Sequence, residues 1–484
     1  STFEFLEGIL GETAGLFPGE YFHSGGDECN KRAWEQCGDC AKRMESEGLA
    51  NVEELQSYFI RRCERILAAH GKRLIGWDEI LEGGLAPNAA VMSWRGEAGG
   101  IAAAKAGHEV VMTPGSAAYL DLKQGPPDTE PPLGYSRLFL RSVYDYDPIP
   151  EVLTEEEGQL VLGFQGNLWA ESIQHEDHLT YMLLPRLYAI AEVAWSDPAG
   201  KDWPDFLRRM EASLARDGHT APGPAQENDP LEPFYARNEL GTVYSPAMYQ
   251  VSIDVVPLND GLAAQLSTEH GGVEIRWSTG AERPAASSPL YTGPIPLAAD
   301  TTLHAAAFRD GKQLGRVSTQ TIKSHLALGA AIELSTPPSE RYSGGGATGL
   351  VDGRKATKSH LDKRWLGFQG TPVTATVDLG EAKPIQTVTL DCLEAQKSWI
   401  LVPAEMRLEI STDGQEYVPV GHLGYGSAAK TDGEEHRHAL SIDLHSPTQA
   451  RFLRITFTPI EALPDWHPGA GGQPWIFVDE LVVE

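Results

Sequence analysis

The chain reads as a multidomain protein in which βα units around a parallel sheet occupy residues 1–218 and two all-β sandwich domains follow. Three observations predict this. Short apolar runs alternate with helical stretches over the first two hundred residues, and acidic and aromatic side chains collect just after the ends of those runs. Beyond a break in composition near Gly218 the helical period nearly vanishes. The length agrees, since 484 residues correspond to about two to four domains at roughly 100 to 200 residues each.

Taken in order, Phe3, Leu6 and Leu10 fall on one face of an opening helix. The aromatic run Tyr21-Phe22 reads as a buried strand and leads into His23-Ser24-Gly25-Gly26-Asp27-Glu28. Asn51 and Glu54 have the spacing of a capping box, and Leu55, Phe59, Cys63, Ile66 and Leu67 give that helix one apolar face up to Gly71. Strands are predicted at 73–77, 91–94, 109–113 and 160–164, which with the run before Asp27 makes five. A complete barrel of βα units takes about eight strands and about 250 residues. Either the sheet is open, or further units precede Ser1.

Residues 218–228, His-Thr-Ala-Pro-Gly-Pro-Ala-Gln-Glu-Asn after a glycine, have the composition of a linker, and 219–245 are assigned to it. A small β-sandwich is expected over 246–325, with alternating strands near 273–277 and 302–308 and a hairpin signal at Asp310-Gly311. A jelly roll is expected over 326–484, from strands at 373–379, 406–410 and 452–457 and a turn at 412–414.

Charge narrows the partners. With 39 Lys and Arg against 68 Asp and Glu the net charge is −29, and no basic cluster stands out to collect phosphates, so nucleic acid and anionic membranes are poor partners. No apolar run approaches the roughly 20 residues that span a bilayer. Five cysteines are an odd number and too few for a disulfide scaffold. Cys29, Cys37 and Cys40 are local, with a C-x-x-C, and Cys63 falls on the next helix; structural thiols, one disulfide and a metal site are the readings, although zinc wants a second such pair or two histidines.

The adjacent carboxylates of Asp27 and Glu28 are the main chemical signal. Paired acids shift each other's proton affinity, so that one donates a proton while the other stays charged, and carbohydrate hydrolysis uses such pairs. The plainer reading is an acidic helix N-terminus, where the dipole favours Asp and Glu. Tryptophans at strand ends pack in cores more often than they bind ligands, and Asp121 and Glu171 also suit the first turn of a following helix. His23 also has the reading of a satisfied core histidine.

Five motifs in order give the residues a family. His-x-Gly-Gly-Asp-Glu at 23–28, Gly-Trp-Asp-Glu at 76–79, Ser-Trp-Arg-Gly at 93–96, Tyr-Leu-Asp at 119–121 and Gly-Asn-Leu-Trp-Ala-Glu at 166–171 resemble the catalytic domain of family 20 glycoside hydrolases, the β-N-acetylhexosaminidases. The resemblance implies an incomplete (β/α)8 TIM barrel, strands four to eight, N-terminally truncated, with strands one to three and their sugar-binding Arg and supporting His preceding Ser1. Five parallel strands leave hydrophobic edges open, so residues 1–484 expressed alone are expected to be inactive or to aggregate.

The implied reaction is exo-hydrolysis of terminal non-reducing GlcNAc or GalNAc with retention, assisted by the substrate's acetamido group through an oxazolinium intermediate. Glu28 would be general acid and base, Asp27 would hold the acetamide, Tyr119 would bond its carbonyl oxygen, and Trp77, Trp94 and Trp169 would box the methyl and the ring. Asp121 and Glu171 would bind sugar hydroxyls, with His23 in support. No cofactor is implied for catalysis. The alternatives are a catalytically inert glycan-binding fragment and a lacto-N-biosidase-type enzyme. The family also implies a periplasmic or extracellular setting.

Residues 273–323 resemble the small sandwich that follows such barrels. Residues 326–484, with Leu350-Val351-Asp352-Gly353 and Phe452-Leu453-Arg454-Ile455, resemble a discoidin-type (coagulation factor C-type) jelly roll. Such modules frequently bind galactosides, and the resemblance implies a structural calcium held by Asp352 and Glu480. Trp365, Trp399, Trp466 and Trp475 are candidates for a sugar platform, with core packing the alternative fate of at least two.

Overall fold

The computed structural model describes residues 2–126, 129–131, 136–216, 230–258, 261–297, 300–360, 362–425 and 429–484. Two compact units are formed, Ser1–Gly125 with Pro131–Met248, and Pro126–Glu130 with Tyr249–Glu484.

The first unit is built on a parallel sheet of five strands in sequence order, β1 (Tyr21–His23), β2 (Arg73–Trp77), β3 (Ala90–Ser93), β4 (Val110–Met112) and β5 (Val161–Phe164). Helices α1 (Thr2–Leu16), α2 (Arg32–Glu35), α3 (Gly38–Glu47) and α4 (Val52–Ala69) accompany β1 and β2. Then come α5 (Ala98–Lys105), α6 (Gly115–Ala118), α7 (Leu140–Asp145) and α8 (Glu155–Gly158), and after β5 the helices α9 (Glu176–Leu183), α10 (Arg186–Trp195) and α11 (Trp203–Arg216). Helix α4 begins as its sequence asks: Asn51 Oδ1 accepts the Glu54 amide at 2.9 Å. Glu54 reaches back one residue further than a capping box requires and takes the Ala50 amide at 2.7 Å. The buried face of α4 carries Leu55, Ile60, Cys63 and Leu67, and Phe3 of α1 packs on Tyr58 and Phe59 with ring centroids 5.9 and 5.8 Å apart.

Strand β1 differs from the buried strand expected at Tyr21-Phe22. Both residues are only half-buried and His23 is more open still, because among the described residues β1 has a hydrogen-bonded neighbour on one side only, β2. The expected linker at 218–228 lies outside the described residues. Its remainder is structured: β6 (Ala236–Arg237) pairs with β7 (Val243–Tyr244), and Val243 packs with Tyr181 and Met182, flanked by Phe234 and Tyr235. Two-residue strands leave no alternation to read, so composition alone suggested a loop there.

The second unit is all-β. Its first part has two three-stranded sheets. One runs β10 (Glu274–Thr279), β12 (Thr301–Arg309), β13 (Lys312–Ile322), and the other β11 (Ile295–Leu297), β9 (Gly261–Ser267), β8 (Ser252–Leu258). The β12–β13 hairpin turns through Asp310 and Gly311, both at positive φ, 51° and 74°, the conformation that makes Asp-Gly a hairpin signal. The rest is a seven-stranded antiparallel sheet in the order β15 (Leu366–Gln369), β20 (Trp475–Val483), β16 (Val373–Glu394), β19 (His436–Thr458), β17 (Glu405–Ser411), β18 (Val418–Gly424), with β14 (Ala331–Leu334) on β16. Val377, Val388, Leu408, Leu453, Ile455 and Phe457 belong to its core. Trp365 is fully buried beside Leu393 and Phe477, with Trp475 packed against them, whereas Trp399 is 40% exposed.

A buried polar cluster lies beside that tryptophan core. Asp479 accepts the Ala356 amide at 2.5 Å and pairs with Arg437 at 3.1 Å, and Asp391 pairs with Lys355. Burial raises the Asp479 carboxyl from 3.8 to about 7, although Arg437 pulls it down. A carboxyl whose folded pKa exceeds its unfolded value gives the folded state an extra proton between the two. Its contribution to stability is therefore complete below the unfolded value and is lost as pH rises through about 7. Urea unfolding of the full chain followed between about pH 4 and about pH 8 should show the all-β unit losing stability with rising pH, and Asp479→Asn should flatten that slope. An unchanged slope in the variant would assign the proton to another group.

Candidate active site

Parallel pairing carries the chain out of every strand at the same rim of the sheet. After β1 the ladder continues briefly, with the Ser24 amide donating to Ile75 O at 2.9 Å and the Trp77 amide to Gly25 O at 3.0 Å. That close approach requires glycine. A Cβ on Gly26, at φ 104°, would sit 2.6 Å from Ile80 Cγ2, and one on Gly76 would sit 2.8 Å from Gly25 O. His23 shapes the same loop: its Nδ1 accepts the Gly25 amide at 3.1 Å and its ring stands edge-on to Trp77 at 4.8 Å. Although the residue is open at the surface, partial desolvation of its ring lowers the imidazole pKa, and the Asp27 carboxylate partly restores it. Asp27 and Glu28 follow with both side chains exposed, and Glu28 has a left-handed backbone, φ 46°.

The two acids after β2 work inward rather than toward solvent. Asp78 is buried, and its Oδ2 accepts the amides of Trp94 at 3.1 Å and Arg95 at 3.2 Å while Oδ1 takes the Arg95 Nε at 2.5 Å. Glu79 Oε2 accepts the indole N–H of Trp94 at 2.9 Å. Burial raises the Glu79 pKa, against that indole bond and the Arg95 guanidinium at 3.7 Å. Both acids therefore fix Trp94 where it leaves β3. The sequence places Asp78 with the acids that follow strand ends, but of the Gly-Trp-Asp-Glu motif it gives only Trp77 a role toward substrate, and Glu79 none.

Strand β4 ends in α6, which delivers Tyr119. The segment is tied to the end of β5 by a parallel bridge, the Leu120 amide to Asn167 O at 2.7 Å and the Asn167 amide to Ala118 O at 2.8 Å. The Tyr119 ring is buried, stacked on Trp94 at 6.2 Å and 22° and tilted against Trp169 at 6.4 Å. Trp77 reaches Trp169 at 5.8 Å, so the four aromatic side chains are continuous. Asp121 has its pKa raised by burial, opposed by Arg186 and reinforced by Glu171, and its Oδ1 is buried without a hydrogen-bond partner. Such an acceptor is costly unless something completes it.

Arg186, 0% exposed, braces this loop from behind. Its guanidinium donates to Leu120 O at 2.5 Å, Leu138 O at 3.1 Å and Met182 O at 2.8 Å. The loop bearing Tyr119 and Asp121 is thereby fixed to α9. No motif spacing marks this arginine, because its partners are backbone carbonyls, two of them, Leu120 and Leu138, distant in sequence.

One cleft of about 500 Å³ is lined by Asp27, Glu28, Trp77, Trp94, Tyr119, Asp121, Trp169 and Glu171, together with Ser172, Ile173, His178 and Met182. The sequence did not single out the last four. They come from the turn after β5 and from α9. His178 is 0% exposed and its Nδ1 accepts the Gln174 amide at 3.3 Å, leaving Nε2 as the protonated nitrogen of the neutral ring. Trp169 is 39% exposed and Glu171 is exposed, so the cleft has an apolar wall facing acids that solvent reaches. That combination suits a ligand with one apolar group and several hydroxyls.

The second unit holds Asp352 and Glu480. Asp352 accepts the Arg354 amide and side chain at 2.9 and 2.8 Å. Glu480 Oε1 accepts from His325 Nε2 at 2.8 Å, and its Oε2 is buried without a partner. Burial raises both carboxyls, Glu480 well above its usual range, with Asp352 adding to the rise. Among the described residues no group of three or more His, Cys, Asp or Glu side chains is placed to hold a metal ion, and no helix is long and apolar enough to cross a membrane.

Comparison with known proteins matches residues 1–198 to the glycosyl hydrolase family 20 catalytic domain. Residues 258–319 match the chitobiase/beta-hexosaminidase C-terminal domain, and residues 332–479 match the F5/8 type C domain. A beta-hexosaminidase of Porphyromonas gingivalis is 53% identical over 45% of this chain and 28% of its own length. One of Vibrio furnissii is 34% identical over 39% of this chain and 32% of its own. The solved structure of a Vibrio harveyi GH20 exo beta-N-acetylglucosaminidase in complex with N-acetylglucosamine aligns at 33% identity and a TM-score of 0.40, covering 44% of this chain and 34% of that one. The chain thus spans about a third of the length of these relatives.

Replacing Arg186 by Met keeps the volume and removes the donors for three carbonyls. The first unit should lose about 1–3 kcal/mol of stability in denaturant unfolding, the cost of leaving buried acceptors without their donor. A loss under about 0.5 kcal/mol, usual for an ordinary surface site, would show that the arginine braces nothing.

Proposed function

We propose that this chain, whose residues 1–198 match the glycosyl hydrolase family 20 catalytic domain, serves the release of terminal β-linked N-acetylhexosamine from glycans, GlcNAc or GalNAc, with retention of configuration. One observation carries the reading: the adjacent Asp27 and Glu28 line the same cleft as three tryptophans and Tyr119. The five strands β1 to β5 are taken as strands four to eight of a (β/α)8 barrel.

Glu28 is the proposed general acid, protonating the glycosidic oxygen and then drawing a proton from water. Its open position suits a group that meets both leaving group and water. The nucleophile is the substrate's own acetamido oxygen, as befits a family that departs from the two-carboxylate scheme. Asp27 holds the acetamido N–H and balances the positive charge of the oxazolinium, while the Tyr119 hydroxyl donates to the attacking oxygen. Trp77, Trp94 and Trp169 enclose the methyl group and support the ring, and their dry surface strengthens the charge interactions beside them. The unpartnered Asp121 Oδ1 accepts from a sugar hydroxyl, as does Glu171. His23 acts on the loop, not on substrate.

In the second unit a calcium ion is proposed at Asp352 and Glu480, supported by the buried, unpartnered Glu480 Oε2. A hard oxygen-seeking cation would complete that oxygen, and Asp352 and Glu480 would be the carboxylates that hold it. When bound, calcium supplies charge neutralisation there and has no part in hydrolysis.

Two measurements test these readings. In the longest product of the gene that contains this chain, Glu28→Gln should slow alkyl and sugar leaving groups by about 10² to 10⁴ and nitrophenyl leaving groups far less. Aryl β-glucosides, which lack the acetamide, should resist hydrolysis, and equal turnover of the two substrate types would sink the acetamide-assisted route. Calcium should raise the melting temperature relative to chelator in the wild type and not in Glu480→Gln; an identical melt with and without calcium rules the ion out.

A further inference from the structure

A cysteine pair outside the cleft shows an asymmetry of its own. Cys37 is the N-cap of α3, a helix of ten residues, and its Sγ accepts the Cys40 amide at 3.4 Å. Cys40 lies in the first turn, three residues on, and its backbone amide is the donor to that sulfur. Both are free and partly exposed. The pair therefore combines a sulfur seated on helix N-terminal amides, a second sulfur within reach, and access for a small molecule.

The two thiols are also pushed in opposite directions. The Cys40 and Asp39 amides and the Cys40 thiol lower the Cys37 pKa, with the Asp39 carboxylate opposing. The Cys40 pKa is raised, first by its bond to Cys37. Helix N-terminal amides and C-x-x-C spacing both favour a thiolate at the first cysteine. The other cysteines differ: Cys63 is buried in α4 with its thiol pushed up to about 11, and Cys392 lies in the β-sheet core.

We propose that Cys37 and Cys40 form a thiol–disulfide exchange site for low-molecular-weight disulfides. The Cys37 thiolate attacks one sulfur of the small disulfide; the S–S bond breaks, one thiolate leaves, and a mixed disulfide forms on Cys37. Cys40 then gives up its proton and attacks Cys37 Sγ, expelling the second small thiol. In sum, two protein thiols are oxidised to one disulfide and one small disulfide is reduced to two thiols.

Oxidised glutathione is the probe, applied to the full chain and followed by peptide mass spectrometry. The expected products are an adduct at Cys37 and then a Cys37–Cys40 disulfide, both reversed by dithiothreitol. Cys40→Ser should halt at the Cys37 adduct, and Cys37→Ser, which keeps a good N-cap, should leave Cys40 reduced over the same interval. On the wild type, iodoacetamide near neutral pH should alkylate Cys37 about tenfold faster than Cys29. Equal rates at Cys29, Cys37 and Cys40, a crosslink through Cys29, or no adduct in Cys40→Ser would overturn the assignment.

Discussion

The parallel register of five strands is the constraint on which the site depends. His23 pairs with Ile75, Trp77 with Met92, Ser93 with Met112, and Met112 with Phe164, so each strand ends at nearly the same level. Residues just past these ends, distant in sequence, are therefore neighbours. An antiparallel arrangement of the same segments would send alternate ends to the opposite rim. The strands themselves are short, three to five residues each, and they act as spacers that fix where the loops begin.

Register alone does not orient side chains, and polar contacts behind the rim do that work. Asp78 and Glu79 are buried acids, and burying a carboxylate is unfavourable unless donors meet it. Here the donors are the backbone and indole of Trp94 and the guanidinium of Arg95. For Glu79 desolvation still wins, since its pKa rises despite both. Arg186 answers the same problem with opposite sign. Its charge is buried among carbonyl dipoles, with Asp121 close enough for each to feel the other. The apolar wall of the cleft is thus positioned by polar groups that the cleft does not display.

Much of this was legible because it is local. The five strand positions follow from short apolar runs between turn residues, α4 from its cap and its apolar face, and the β12–β13 hairpin from Asp310-Gly311. The eight cleft residues could be named because each follows a strand end within a motif. Ser172, Ile173, His178 and Met182 could not, since an irregular turn and a separate helix bring them in. The β6–β7 hairpin escaped for lack of length. Trp365 and Trp399 looked alike in sequence, and only long-range packing separates the fully buried ring from the 40% exposed one.

The plain explanation for Asp27 and Glu28, acids placed to greet a helix dipole, fails on geometry. The next helix begins at Arg32, has four residues, and takes Lys31 as its N-cap without a side-chain bond, so neither acid lies in its first turn. Nor are they buried acids that packing demands, since both are exposed. Glu28 is held in a left-handed conformation that costs a non-glycine residue on the order of 1–3 kcal/mol. Nothing in the local fold is repaid by that strain, and a glycine would relieve it. An exposed, strained acid lining a cleft walled by tryptophans is what the proposed role of Glu28 toward a ligand requires. The loop that carries it leaves no room for side chains at Gly26 or at Gly76 on β2, where a Cβ would meet Ile80 or the Gly25 carbonyl.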